Sequence, residues 1–336
     1  MKILNIEKIQ SPLQVKDPFI MAVHHKDHYP KGNGKMEPVN YLPSWQVGQD
    51  FNSNVPWRMY HGEKIPGFPY HPHRGFETVT VVLEGFVDHF DSVGSKGRYG
   101  EGDVQWMSAG SGALHSEMFP VISQTTDNPM ELFQIWLNLS SQGKKTPPNY
   151  KMLWNESIPL IEEEDQNGNK YEIKLVSGTY KNLKSIDPLP NSWAFDRSHH
   201  VGIWVIKLSP NATMTIPKVS SGLNRMLYNI EGGEIYIDDK VINSYYCAQL
   251  VGDEDIIVNN GNVDSLLLLL EGEPINEPVI AYGPFVMNSR QEIEQAINDF
   301  RRTEFGGWPW NSSEPVNGLD DGRFASYNNG ERIETP

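Results

Sequence analysis

The chain has 336 residues, 38% hydrophobic and 21% charged, which supplies apolar material for about two domains and is far from a disordered composition. Lys+Arg 28 against Asp+Glu 43 leaves a formal charge of −15. Such a balance disfavours direct binding to nucleic acid or to anionic membrane surfaces. The lone cysteine, Cys247, rules out an intrachain disulfide and any Cys-based zinc or iron–sulfur site within one chain.

In chain order, the opening MKILNIEKIQSPLQ lacks a long apolar region and a small-residue cleavage site, so it does not read as a signal peptide. The longest apolar run, 266–270, has the length of a buried strand, far short of the roughly 18 residues of a membrane helix. A cytoplasmic protein with no membrane partner is expected. Residues 19–23 read as a strand, and the cluster His24, His25 and His28 that follows reads as a solvated turn. Residues 78–83 (TVTVVL), 132–139 (LFQIWLNL), 203–208 (IWVIKL), 234–237 (EIYI) and 265–270 (SLLLLL) are further strands. Short β-branched and aromatic runs punctuated by 29 Gly and 24 Pro argue for sandwiches or barrels.

The polar stretch 140–150 contains Pro147-Pro148, which neither a helix nor a central strand tolerates, and marks a domain junction. The expected units are a first domain over 1–143 and a second over 144–288. Ile293, Ala296, Ile297 and Phe300 follow helical spacing behind the capping box Ser289-Arg-Gln-Glu292, which predicts a docking helix over 289–303. The remainder, 304–336, contains Trp308-Pro-Trp310 and reads as an extended tail without its own core. Leu83-Glu-Gly-Phe-Val-Asp-His-Phe-Asp91 resembles Ile230-Glu-Gly-Gly-Glu-Ile-Tyr-Ile-Asp238, as two copies of one β-unit would.

The ten histidines carry the chemistry, and none lies beyond His200. Two pairs stand out: His71-Pro-His73 and His115-Ser-Glu117. Residues i and i+2 of a strand share a face, so each pair can aim two donors at one point. A single His-x-His is most often an ordinary feature of core or surface. A second pair behind a Gly-rich turn changes that balance. Three imidazoles and a carboxylate suit a divalent Fe, Mn, Co, Ni, Cu or Zn ion, without selecting among them. For His61, His89 and His199-His200 a plain structural role is the leading reading.

The surroundings of these pairs carry a resemblance. Gly67-Phe-Pro-Tyr-His71-Pro-His73-Arg-Gly-Phe-Glu77, followed by Gly85, fits the first cupin motif, and Gly102 to Met118 (GDVQWMSAGSGALHSEM) fits the second. More narrowly, HPHRGFETVT, that second stretch, the Thr146-Pro-Pro segment and Tyr282-Gly-Pro-Phe-Val-Met-Asn-Ser289 resemble the pirin family. The resemblance implies a mainly β bicupin: two β-barrel (jelly-roll) cupin domains packed together, with a C-terminal helix and an extended tail. It further implies one metal ion per chain, Fe(II), held in the N-terminal barrel by His71, His73, His115 and Glu117. Glu77, a ligand in many other cupins, is then expected behind the ligands or paired with Arg74. Phe68, Trp106, Met118 and Phe133 are candidates for lining an aromatic pocket.

Aligned through the Glu-Gly turns, the positions of His71 and His73 fall on Lys218 and Ser220, so the second cupin is expected to hold no imidazole-based site. The implied function is a quercetin 2,3-dioxygenase-like cleavage of a flavonol or another enolisable aromatic with O2, with Glu117 as ligand and general base. Two alternatives stand beside it. One is an iron-dependent redox-sensing regulator that binds a protein partner. The other is a metal-dependent sugar isomerase, which would need a polar pocket lining.

Overall fold

The computed structural model describes residues 2–39, 48, 50 and 55–336. Up to residue 153 the strands are β1 (Ile3–Lys8), β2 (Phe19–Tyr29), β3 (Gly67–His73), β4 (Phe76–Glu84), β5 (Phe86–Asp91), β6 (Lys96–Gly100), β7 (Val104–Ser108), β8 (Ala113–Met118), β9 (Asn128–Asn138) and β10 (Asn149–Leu153). The chain forms two compact units, and each is assembled from separated segments. The first comprises Val23–Asn155 and Glu277–Pro336; the second comprises Met1–Ala22 and Glu156–Asn276.

This division differs from cuts at 143 and 288 in a way strand pairing explains. β1 adds to the strand Tyr246–Leu250 and places Ile3 in the core of the second unit. β10, beyond the Pro-Pro, pairs with β7 and buries Tyr150 and Met152 in the first unit. Turn residues locate a break in the chain; they do not say which sheet receives the next strand.

Among the described residues the first unit contains two large sheets and a two-stranded one, Ile280–Tyr282 with Phe285–Met287. One large sheet has the order β10-β7-β4-β9-β2. The other runs Arg332–Glu334, Phe324–Tyr327, β6, β5, β8, β3. β3 is an edge strand with β8 as its neighbour, which is where Pro69 and Pro72 can be accommodated without costing a ladder hydrogen bond. β4, rich in Val and Thr, is buried on both faces from Phe76 to Val82. Between β4 and β5, Gly85 has φ +80°, and a Cβ there would lie 2.7 Å from the Pro129 carbonyl oxygen. Glycine is therefore required at this turn.

Helix α1 (Arg290–Thr303) is the α-helix among the described residues. Ser289 Oγ accepts a hydrogen bond from the Glu292 amide at 3.2 Å, and Ile293 and Ala296 pack on Phe285 and Met287. The tail is more than an extended wrap. Phe324–Tyr327 pairs with β6, and Ala325 and Tyr327 enter the core of the first unit. Arg98 and Asp88 form a fully buried ion pair at 2.8 Å, from which Arg98 also donates to the carbonyls of Gly318 and Asp321.

The second unit has a seven-stranded and a four-stranded sheet, and strands Gly202–Leu208 and Ser265–Gly272 cover two of the sequence-predicted ones there while Ile235–Ile237 falls one residue short of the third. Its interior is a continuous apolar cluster that includes Ile173, Leu175, Ile206, Leu227, Ile256 and Leu267. The chain thus has the mainly β, two-barrel architecture with one C-terminal helix that the motifs implied. Among the described residues no helix is long and apolar enough to cross a membrane.

The expected turn at His24, His25 and His28 is instead part of β2. Alternation turns Val23, His25, Asp27 and Tyr29 inward, and all four are buried. His24 is 2.8 Å from Glu131 Oε1, and only His28 of the three is exposed.

Candidate metal centre

The site is built on three neighbouring strands of the first unit. β3 and β8 pair antiparallel with His71 opposite His115 and Phe68 opposite Glu117. On the other side of β8, β5 sets Asp91 opposite His115 and His89 opposite Glu117. Directly opposed residues project to one face, so His71, His115 and Asp91 form one rung and Phe68, Glu117 and His89 another, with His73 two residues beyond His71.

His71 Nε2 and His73 Nε2 lie 3.0 Å apart. Two nitrogens bound cis to an octahedral ion at about 2.1 Å would be separated by about 3.0 Å. One ligand atom from each of His71, His73 and His115 can be chosen so that all lie within 4.8 Å of one another. Glu117 Oε2 stands 3.9 Å from His115 Nε2. His71 Nδ1 is 2.8 Å from the Pro69 carbonyl oxygen, to which it donates. That bond fixes the tautomer and leaves the Nε2 lone pair facing the cluster.

Burial governs the titration of the group. It lowers His71 to about 4, with the Pro69 carbonyl opposing and the His61 and His89 charges assisting. His73 and His115 are held well below the usual imidazole range, first by burial and then by their imidazole neighbours. All three are therefore neutral at neutral pH, the form that binds metal. Burial raises the Glu117 carboxyl; His89, Gln134 and Thr80 act against it.

His115 provides the test of fit for a metal. Its side chain is fully buried, and neither ring nitrogen has a hydrogen-bond partner among the described residues. Buried polar nitrogens are nearly always satisfied, and leaving one bare costs about 1–3 kcal/mol. A ligand bond from one nitrogen would supply the missing interaction. The donor set fits a borderline divalent ion.

Residues that the motif reading passed over complete the surroundings. Thr80 Oγ1 donates to Glu117 Oε1 at 3.2 Å, and Gln134 Nε2 donates to Oε2 at 2.6 Å. They come from β4 and β9, where Thr80 and Gln134 are directly paired. Trp136 sets its ring edge-on to His73 at 5.3 Å and stacks on Phe76. His89, assigned a plain role from sequence, is buried 3.3 Å from Asp91 and 5.6 Å, ring to ring, from His115. The i, i+2 rule that singles out His71 and His73 would have found His89-x-Asp91, Thr78-x-Thr80 and Gln134-x-Trp136 as well.

Of the proposed lining residues, Phe68 stands beside the cluster, its ring 6.3 Å from that of His71. The other three do not. Alternation turns Trp106 and Phe133 to the opposite face of their sheet from Gln105 and Gln134, and Phe133 stacks on His24. Met118 faces away from Glu117 and packs with Met36 and Ile65. Glu77 is fully buried on the β4 face opposite Thr78 and Thr80. Arg74 ion-pairs not with it but with Asp299 of α1 at 2.9 Å, since the helix brings a carboxylate to the end of β3. A separate cavity of about 250 Å³, lined by Tyr29, Phe86, Phe119 and Met130 among others, includes none of the clustered histidines.

Two β-barrel units, one with a histidine-lined interior, define a bicupin. The pirin family model matches residues 6–137, and the model of the pirin C-terminal cupin domain matches 203–306. Pirin from Homo sapiens is 37% identical over 253 residues, covering 74% of this chain and 80% of that protein. A Pseudomonas aeruginosa protein provisionally named as a quercetin 2,3-dioxygenase is 38% identical over 241 residues, covering 71% of this chain and 79% of its own length. Among solved structures, quercetin 2,3-dioxygenase from Acinetobacter baumannii superposes with a TM-score of 0.70 at 29% identity, covering 91% of this chain and 98% of that one. The chain belongs to the pirin family.

Proposed function

We propose that His71, His73, His115 and Glu117 hold one divalent metal ion, Fe(II), and that the protein cleaves a flavonol or a related enolisable aromatic with O2. The observation that carries the metal reading is His115, buried with both nitrogens unsatisfied beside two imidazole nitrogens 3.0 Å apart. The names of the Pseudomonas and Acinetobacter relatives support the reaction class.

When bound, the ion would supply Lewis acidity toward an enolic oxygen and one-electron chemistry toward O2. The chain's own residues do the rest. Glu117, raised by burial, is suited to take the proton of a substrate hydroxyl on Oε1 or Oε2 and to hold it in a site shielded from water. Thr80 and Gln134 stabilise its carboxylate form. Pro69 keeps His71 in one tautomer. Phe68 and Trp136, both half-buried beside the imidazoles, offer aromatic faces to a planar ligand. Such a lining favours a flavonoid-like substrate over a sugar.

The test is O2 uptake and ring-cleavage product with Fe(II)-loaded protein and a panel of flavonols. Turnover that disappears in Glu117→Gln is expected. Absence of turnover with every flavonol while iron is bound would remove the substrate assignment and leave the metal assignment standing.

A further inference from the structure

β9 carries none of the four proposed ligands, yet it touches the centre twice. Gln134 reaches Glu117 Oε2, the carboxylate oxygen that stands 3.9 Å from His115 Nε2, at 2.6 Å. Two residues on, Trp136 Nε1 donates to Gln134 Oε1 at 3.3 Å while the same indole lies against His73. An indole N–H can only donate. It therefore fixes which end of the amide points where: the Gln134 oxygen toward Trp136, the NH2 group toward Glu117. Turned over, the amide would set an oxygen against the carboxylate and an N–H against the indole N–H.

We infer that Gln134 and Trp136 are a positioning pair, in which the indole orients the amide and the amide holds Glu117 in reach of the metal. This rests on the reading of His71, His73, His115 and Glu117 as ligands. The second oxygen is steadied by Thr80, so the carboxylate is held from two strands that bear no ligand. Gln134 and Trp136 are half-buried on an ordered strand whose remaining positions between Met130 and Asn138 are buried. The two side chains can thus be changed without opening the core on the other face of β9. Trp136→Phe keeps an aromatic ring for Phe76 and His73 and removes the N–H. Gln134→Leu removes the donor; Gln134→Asn keeps an amide that is one methylene too short to reach.

The experiment titrates Co(II) into the full chain, reading affinity by chelator competition and ligand geometry by the visible absorption of the bound ion. Gln134→Leu and Gln134→Asn should each weaken Co(II) about 10–100-fold and alter the spectrum. Trp136→Phe should weaken it by a smaller factor. The double variant Gln134→Leu/Trp136→Phe should bind no more weakly than Gln134→Leu alone, because the indole acts through the amide. Wild-type affinity and spectrum in both Gln134 variants would overturn the inference, and so would factors that simply multiply in the double variant. If wild type and His73→Ala bind Co(II) alike, the ligand assignment itself fails, which is a different outcome from either.

Discussion

Around the Glu84-Gly85 turn of the first unit, the outgoing strand carries His89 and Asp91; around the Glu231-Gly232 turn of the second, it carries Ile235 and Ile237. Both turns place glycine at positive φ, +80° and +108°, and both units bury one Arg–carboxylate pair, Arg98–Asp88 and Arg225–Glu271. The similarity ends at the interiors. Where the second unit packs Ile, Leu and Met, the first buries His73, His89, His115, Glu117 and Gln105. Each buried polar group costs stability unless it is paired, so an interior of this kind persists where it serves a function. The contrast separates a unit with a polar, histidine-lined interior from one whose interior is an apolar packing core.

The strongest way to break that comparison is to remove a proposed ligand. His73→Ala should lower Co(II) or Fe(II) affinity by more than about 100-fold, since losing a ligand exceeds the effect of losing its supporting partner. Metal analysis after dialysis would read this. Saturating metal should raise the thermal midpoint of the wild type, by about 2.7 kcal/mol of stability at 100 times Kd, and should not raise that of the variant. Stoichiometric metal remaining in His73→Ala would place a site elsewhere.

Next in size is the buried pair of the second unit. Arg225→Met leaves Glu271, whose carboxyl burial already raises, without its counter-charge. A loss of about 3–5 kcal/mol in denaturant unfolding is expected. Metal affinity should be unchanged, because the pair lies outside the first unit.

A third test uses acid. Burial, with the charges of Arg58 and His24, lowers His25 from 6.5 to about 3. Between those values the unfolded chain takes up a proton that the native state refuses, so stability falls as pH drops through this window. The slope from this residue is up to about 1.4 kcal/mol per pH unit. His25→Gln should flatten the acid limb of a stability–pH profile; an unchanged slope would show that His25 protonates in the native state. The smallest effect is expected at Arg74→Ala. Its pair with Asp299 is partly solvated, and about 0.2–1 kcal/mol should be lost.

Local chemistry made much of this readable in advance. The strand alternation at His71-x-His73 and His115-x-Glu117 projects to one face whatever the rest of the fold does, and the helix signalled itself through Ser289, Glu292 and the Ile293 stripe. Two kinds of feature stayed hidden. Face assignment at Trp106, Phe133 and Met118 depends on which side of each strand meets the barrel interior, and their neighbours on both sides are apolar or buried too. Gln134 and Thr80 look like ordinary polar strand residues until β4 and β9 are brought over β8. The pairing of β1 and of Phe324–Tyr327 was equally hidden, because short strands of four to six residues carry no mark of their distant partners.

That last pairing bears on synthesis. The first unit draws residues 277–336 into its structure, and the Arg98 guanidinium meets the carbonyls of Gly318 and Asp321 only once those residues have been made. As the polypeptide leaves the ribosome, His71 to Glu117 emerge early, yet the sheet beside β6 is left open until Phe324–Tyr327 arrives. An open edge of this kind invites pairing with another chain. Synthesis of Phe324–Tyr327 is therefore the moment at which this edge is closed, and a nascent chain stalled before it would be the form most in need of a chaperone.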